Sequence, residues 1–200
     1  SRKFFTIFIS TVLIFLTLIC LYIFKYNGLP QRYSKEIMNL INFNYNYKEI
    51  YQSGTCHIEN KKAFKNKYFQ KCKTNLEVNK DDLFIWGDSL AAHLYPGINY
   101  KYGKKYNIWQ RTTDACKPSA NNSPQNNLDP NCKKINKFII NEIKKLKPKK
   151  VFIAGFWSHN DLNDIEETIK KLKNNNIDSI YLVGPSIRWQ DPLPKILLKK

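Results

Sequence analysis

The pattern of apolar and polar positions divides the chain into unlike parts. Phe4 to Phe24 holds no charged residue. As a helix at ~1.5 Å per residue it would span about 30 Å, the thickness of a hydrocarbon core. Its polar members, Thr6, Ser10, Thr11 and Thr17, can turn their hydroxyls back onto helix carbonyls. A cleaved leader has a shorter core followed by small residues. Here Leu21-Tyr22-Ile23-Phe24-Lys25-Tyr26 stays bulky to its end, which favours a permanent anchor. Gly28-Leu29-Pro30 reads as the exit from the membrane, and Ser34 to Ile41 as a short helix with Ser34 as N-cap. Asn42 to Asn79 is polar, aromatic and lysine-rich, and is expected to be irregular.

From Asp82 the character changes. Leu83-Phe84-Ile85-Trp86 is a continuous apolar run ending at Gly87, as a strand buried on both faces requires. A helix should start at Ser89, with Pro96 and Gly97 interrupting it before Tyr102. Tyr106 to Gln110 reads as a second strand. Ile135, Phe138, Ile139, Ile143 and Leu146 fall at helical spacing, and Pro148 ends that helix. Lys150 to Ala154 is a third strand, Asp161 to Leu172 a helix, and Ser179 to Val183 a fourth strand. Strands alternating with helices predict an α/β fold on an open parallel sheet. The expected division is a transmembrane helix over 1–26, a linker with a disulfide-closed irregular segment over 27–80, and the α/β domain over 81–200.

Cysteine usage bears on the compartment. Cys20 lies inside the apolar helix. Cys56, Cys72, Cys116 and Cys132 form no Cys-x-x-Cys pair, so no metal site is expected. Four cysteines after an export-type segment point to two disulfides in an oxidising compartment, although reduced buried thiols would fit the count too. Three connectivities are possible. The local one, Cys56–Cys72 with Cys116–Cys132, is preferred because each pair brackets a polar loop.

Charge changes the picture little. Thirty-three basic residues against 16 acidic give a net +17. The basic residues are nearly all Lys, scattered among Asn, Ile and Tyr, with no arginine cluster interleaved with aromatics. This is a solvated surface rather than a nucleic-acid site.

Candidate chemistry gathers where strands end. In open α/β sheets ligands bind at the carboxyl ends of the strands. Three expected strands end there in Gly87-Asp88-Ser89, Gly155-Phe156-Trp157-Ser158 and Gly184-Pro185-Ser186. Ser89 would sit where a buried strand turns into a helix, with backbone N–H groups aimed at a developing oxyanion.

At these residues the sequence resembles the SGNH (GDSL-type) hydrolases. More narrowly it resembles the SGNH-like domain found C-terminal to membrane acyltransferase family 3, the O-acetylases of surface polysaccharides. The matching segments are Gly28–Arg32 after the membrane helix, Gly87-Asp88-Ser89-Leu90-Ala91-Ala92-His93-Leu94-Tyr95-Pro96, Thr112-Thr113-Asp114-Ala115-Cys116-Lys117-Pro118, and Val151–Ser158. The resemblance implies a flavodoxin-like fold and a Ser-His-Asp mechanism without cofactor, in which Ser89 takes the acyl group. It implies Asp88, Thr113 and Trp157 as loop and oxyanion support. It also implies a cell-envelope glycan substrate, an acyl donor and a multi-span acyltransferase region N-terminal to this chain. The setting would be a bacterial inner membrane with the α/β domain in the periplasm or outside the cell.

Two departures qualify that expectation. The family's Gly-x-Asn block is Gly155-Phe156-Trp157 here, so either the Trp157 indole N–H substitutes as donor or that donor is absent. No Asp-x-x-His follows Gly184. The chain begins at Ser1 and ends in Leu-Leu-Lys-Lys, so truncation at both ends, and inactivity of this piece alone, are expected. His93 and His159 are weak substitutes for the missing base, His57 is expected to be exposed, and Trp189 is assigned to a substrate loop. The alternative function is a non-catalytic, membrane-anchored glycan-binding or scaffold domain with the same fold.

Overall fold

The computed structural model describes residues 2–42, 45–59, 64–72, 76–120 and 129–184. They fall into two units, parted between Tyr45 and Asn46.

The first unit is led by helix α1, Arg2–Lys25, none of whose residues is buried. It is long and apolar enough to cross a membrane. Its threonines are satisfied within the helix. Thr6, Thr11 and Thr17 donate their hydroxyls to the carbonyls of Arg2, Ile7 and Leu13 at 2.8–2.9 Å. The helix ends where Gly28 takes φ +78° and donates its N–H to Ile23 O. Helix α2, Lys35–Ile41, follows, with Ser34 Oγ accepting from Ile37 N at 3.3 Å.

The second unit is a five-stranded, wholly parallel sheet. In chain order it contains α3 (Tyr47–Ile50), β1 (His57–Ile58), a 3₁₀ turn (Asn66–Lys71), β2 (Asp81–Gly87), α4 (Ser89–Tyr102) and β3 (Tyr106–Thr113). Then come α5 (Pro130–Leu146), β4 (Lys150–Ala154), a second 3₁₀ turn (His159–Asp161), α6 (Leu162–Lys173) and β5 (Ser179–Val183). The strand order is β1-β3-β2-β4-β5. Setting β1 aside, this is the flavodoxin-like order, which reverses direction between β2 and β4. β2 lies at the centre, and its alternate side chains fill both faces. Phe84 and Trp86 pack with Ile135, Ile139 and Ile143 of α5 and Leu172 of α6. Leu83 and Ile85 pack with Ala91 and Ile98 of α4 and with Ile108. All four β2 side chains are fully buried.

Three sequence expectations change. The stretch expected to be irregular supplies α3, the 3₁₀ turn and an edge strand, with His57 and Ile58 paired to Thr112 and Thr113. Two residues carry too little alternation to announce a strand; the exposed edge of β3 creates it. Helix α4 runs through Pro96 and Gly97. Both lie on its solvent side, and the buried face at Ala91, Ala92 and Ile98 outweighs the lost hydrogen bond. β3 continues past Gln110 through three more polar residues, each nearly fully buried. They are tolerated because most find partners. Gln110 Nε2 donates to Tyr51 O and to Thr112 Oγ1, both at 2.9 Å, and the Arg111 guanidinium pairs with Glu142.

Disulfides join Cys56 to Cys72 and Cys116 to Cys132, each across 16 positions. The first fastens the 3₁₀ turn to β1, and the second fastens the loop after β3 to the first turn of α5. Loops of this size should stabilise by about 3 kcal/mol each. Replacing Cys56 and Cys72 together by Ala should therefore lower the urea midpoint clearly, with an m-value that rises if anything, because the unfolded chain loses a crosslink. An unmoved midpoint would contradict that.

Candidate active site

The parallel register brings one residue from each strand into a row at the carboxyl ends: His57, Thr112, Gly87, Ala154 and Val183. The turn after Gly87 projects beyond that row. Gly87 must lack a side chain, because a Cβ there would meet the Ala154 carbonyl and lie 2.5 Å from Ala91 Cβ. That close approach lets β2 and β4 run side by side at the point where the strand order reverses.

Asp88 organises the turn. It is buried and caps α4, with one carboxylate oxygen accepting from Leu90 N at 2.7 Å. Its other oxygen accepts from Phe156 N at 2.7 Å, so one side chain holds both the β2–α4 turn and the loop after β4. Burial pushes its carboxyl above the ordinary value of 3.8, against the pull of those N–H bonds and the fields of His57 and Lys117. Between 3.8 and the raised value the folded chain holds more protons than the unfolded one, so stability from this group falls as pH rises through that window. Asp88→Asn keeps a cap but removes the ionisation. Its stability relative to the parent should improve with rising pH across that window, read from urea unfolding at a series of pH values. A difference independent of pH would refute the assignment.

Ser89 is the first residue of α4 and is half-buried. Among the described residues its hydroxyl has no hydrogen-bond partner. The neighbouring donors are occupied: Leu90 N by the Asp88 carboxylate, and Ala91 N and Ala92 N by Asp88 O. The Ser89 N–H is left without an acceptor among the described residues. It sits at the positive end of a 14-residue helix.

The other expected site residues fall as follows. Thr113 Oγ1, at the end of β3, is sealed from solvent and has no partner among the described residues. Trp157 is nearby, but its indole N–H donates to Val183 O at 3.0 Å, so it is engaged in fastening the β4 loop to β5 rather than offered to an oxyanion. His159 is exposed in the second 3₁₀ turn, and His93 is half-buried on α4. The expected substrate loop at Trp189 lies outside the described residues.

His57 departs from expectation most. It is buried, 5% exposed, because strand pairing draws it into the sheet edge. Its Nδ1 lies 3.0 Å from Thr112 Oγ1 and its Nε2 2.8 Å from Asp114 Oδ1. Nothing in the sequence beyond its place beside Cys56 could have signalled this pair. Asn136 was missed as well. Its side chain accepts from Trp86 Nε1 at 3.1 Å and donates to Lys117 O at 2.8 Å, tying the core to the Cys116–Pro118 loop. Lys117 in turn reaches Asp161 at 2.7 Å, and Ser119 reaches Asp164 at 2.8 Å.

A sheet of this order, with a serine on the turn after its central strand, is matched by a family model described as the SGNH domain fused to AT3 domains, over residues 55–199. The chain belongs to this SGNH family. A solved structure, the periplasmic domain of a lipopolysaccharide acetyltransferase from Salmonella ser. Paratyphi A, is similar to it with a TM-score of 0.60 and 26% identity. The likeness covers 82% of this chain and 64% of that one, so the chain spans less than two thirds of that domain. No curated protein matches the chain. The SGNH assignment accounts for the parallel sheet.

Proposed function

We propose that this SGNH domain transfers or cleaves acyl esters of a cell-envelope polysaccharide, with Ser89 as nucleophile. The observation that carries the reading is the Ser89 hydroxyl itself. It stands unpartnered among the described residues at the N-terminus of α4, on the rim where the strand order reverses. Ser89 Oγ would attack the ester carbonyl while the Ser89 N–H receives the oxyanion. The ester C–O bond then breaks, a general base passes the serine proton to the departing alcohol, and water or a sugar hydroxyl takes the acyl group and returns a proton to Ser89. Asp88 is a positioning residue here, since both its oxygens are engaged with backbone N–H groups. A multi-span acyltransferase region would supply the acyl group from the membrane side, and the helix Arg2–Lys25 would tether the domain beyond it. The periplasmic location of the similar Salmonella domain supports the same side for this one.

The test is labelling of the full-length protein, in its membrane, with a fluorophosphonate probe. Ser89→Ala should abolish labelling, at least a hundredfold below the parent, while the far-ultraviolet circular dichroism is unchanged. Labelling that survives in Ser89→Ala removes Ser89 as the nucleophile. Absence of labelling in the folded parent would favour the second reading, a glycan-binding domain without catalysis. That reading draws on one observation: no histidine hydrogen-bonds Ser89 among the described residues.

A further inference from the structure

A groove of about 720 Å³ opens at the β1 edge of the sheet, and Ser89 does not line it. One wall comes from α3 and the turn after it, with Tyr47, Lys48 and Tyr51. The 3₁₀ turn contributes Lys67, Tyr68 and Lys71 to the lining. The Cys56–Cys72 disulfide fastens that turn to β1, and the His57–Asp114 pair also lines the groove.

We propose that this groove binds an acidic saccharide, one carrying carboxylate or phosphate, as a subsite of the acceptor glycan. The proposal rests on the ester-transfer reading for its role but not for its chemistry. Three observations carry it. First, Lys48, Lys67 and Lys71 have no acidic partner among the described residues. The groove also holds two carboxylates, Glu59 and Asp114, the latter engaged by His57. Three ammonium groups against two carboxylates leave the lining net positive, which favours an anion.

Second, the groove combines those charges with tyrosines held in fixed relation. Tyr47 and Tyr51 meet edge to face at 6.2 Å, and Tyr51 meets the His57 ring at 5.5 Å. Aromatic walls with a few convergent polar groups suit a ring-shaped polar ligand better than a lipid chain. Third, the groove lies on the reactive rim. His57 is in register with Thr112, and Thr112 with Gly87. Two strand spacings separate the His57 and Gly87 backbones, roughly 10 Å, a gap that an oligosaccharide bridges.

The experiment uses the full chain in phosphatidylcholine nanodiscs, titrated calorimetrically with four probes: trigalacturonate, neutral galactotriose, galactose 6-phosphate and oligothymidylate. Trigalacturonate or the sugar phosphate should bind at least tenfold tighter than galactotriose, and more weakly as salt rises. Whichever of the two binds tighter identifies the charged group. Lys67→Gln with Lys71→Gln should weaken that binding at least tenfold, and these exposed, unpaired positions should leave the fold intact. Equal affinity for charged and neutral sugars, an unaffected double variant, no binding at all, or tightest binding to oligothymidylate would each overturn the proposal. Ser89→Ala should bind as the parent does. Binding without Ser89 labelling sinks the ester-transfer reading alone, and labelling without binding sinks the groove alone.

Discussion

Gly87→Ala should cost about 3 kcal/mol or more and leave little folded protein. The new methyl would be driven into the Ala154 carbonyl and against Ala91, and neither can retreat. Ala154 is held by the β2–β4 ladder, and Ala91 is on the buried, sheet-facing side of α4. Room could be made only by separating the two central strands at the switch point. Gly97→Ala is the control. An added Cβ there meets no atom within 4 Å, and in a helix it should stabilise by roughly 0.5–1 kcal/mol. Urea unfolding of the two variants should move in opposite directions. A Gly87→Ala protein of parental stability would mean that the strand packing described here is wrong. Its Ser89 labelling should be lost with the fold.

Glu142→Ala should be comparably damaging. Arg111 is 3% exposed, near the carboxyl end of β3, and its guanidinium makes two bonds to Glu142 of α5, at 2.7 and 3.2 Å. The same group lies 5.2 Å from the Phe69 ring centroid and 5.4 Å from that of Trp109. Removing the carboxylate leaves a buried cation without its counter-charge, which typically costs about 3–5 kcal/mol. Replacing the pair together, Arg111→Met with Glu142→Leu, should recover most of the loss, because the desolvation penalty disappears with the charges. A loss below about 1 kcal/mol for Glu142→Ala would place this pair with ordinary surface ion pairs.

Much of this architecture is legible from residue order. β2, β4 and β5 are short apolar runs that end at glycine, and α5 and α6 carry strong helical spacing. These signals are local, so they survive without knowledge of neighbours. The Gly-Asp-Ser turn is legible for the same reason: it follows the most hydrophobic strand directly. The parts that were misread depend on contacts distant in sequence. β1 exists through two residues paired to a strand more than fifty positions away. α4 passes its proline because the sheet face beneath it rewards continuity. The polar end of β3 is a strand because Gln110, Arg111 and Thr112 find partners on Tyr51, Glu142 and His57.

The sequence by itself determined the apolar helix, the parallel α/β layout and the serine that follows its central strand. Each is written in a run of adjacent residues or in a simple period. Only the tertiary structure decided what surrounds that serine. It buried His57 against Asp114, spent the Trp157 indole on Val183, gave both oxygens of Asp88 to two separate loops, and raised a lysine- and tyrosine-lined groove beside the rim. Hydrogen bonds and ion pairs between residues far apart in the chain have no period to read, so their partners become visible only once the sheet has set them side by side.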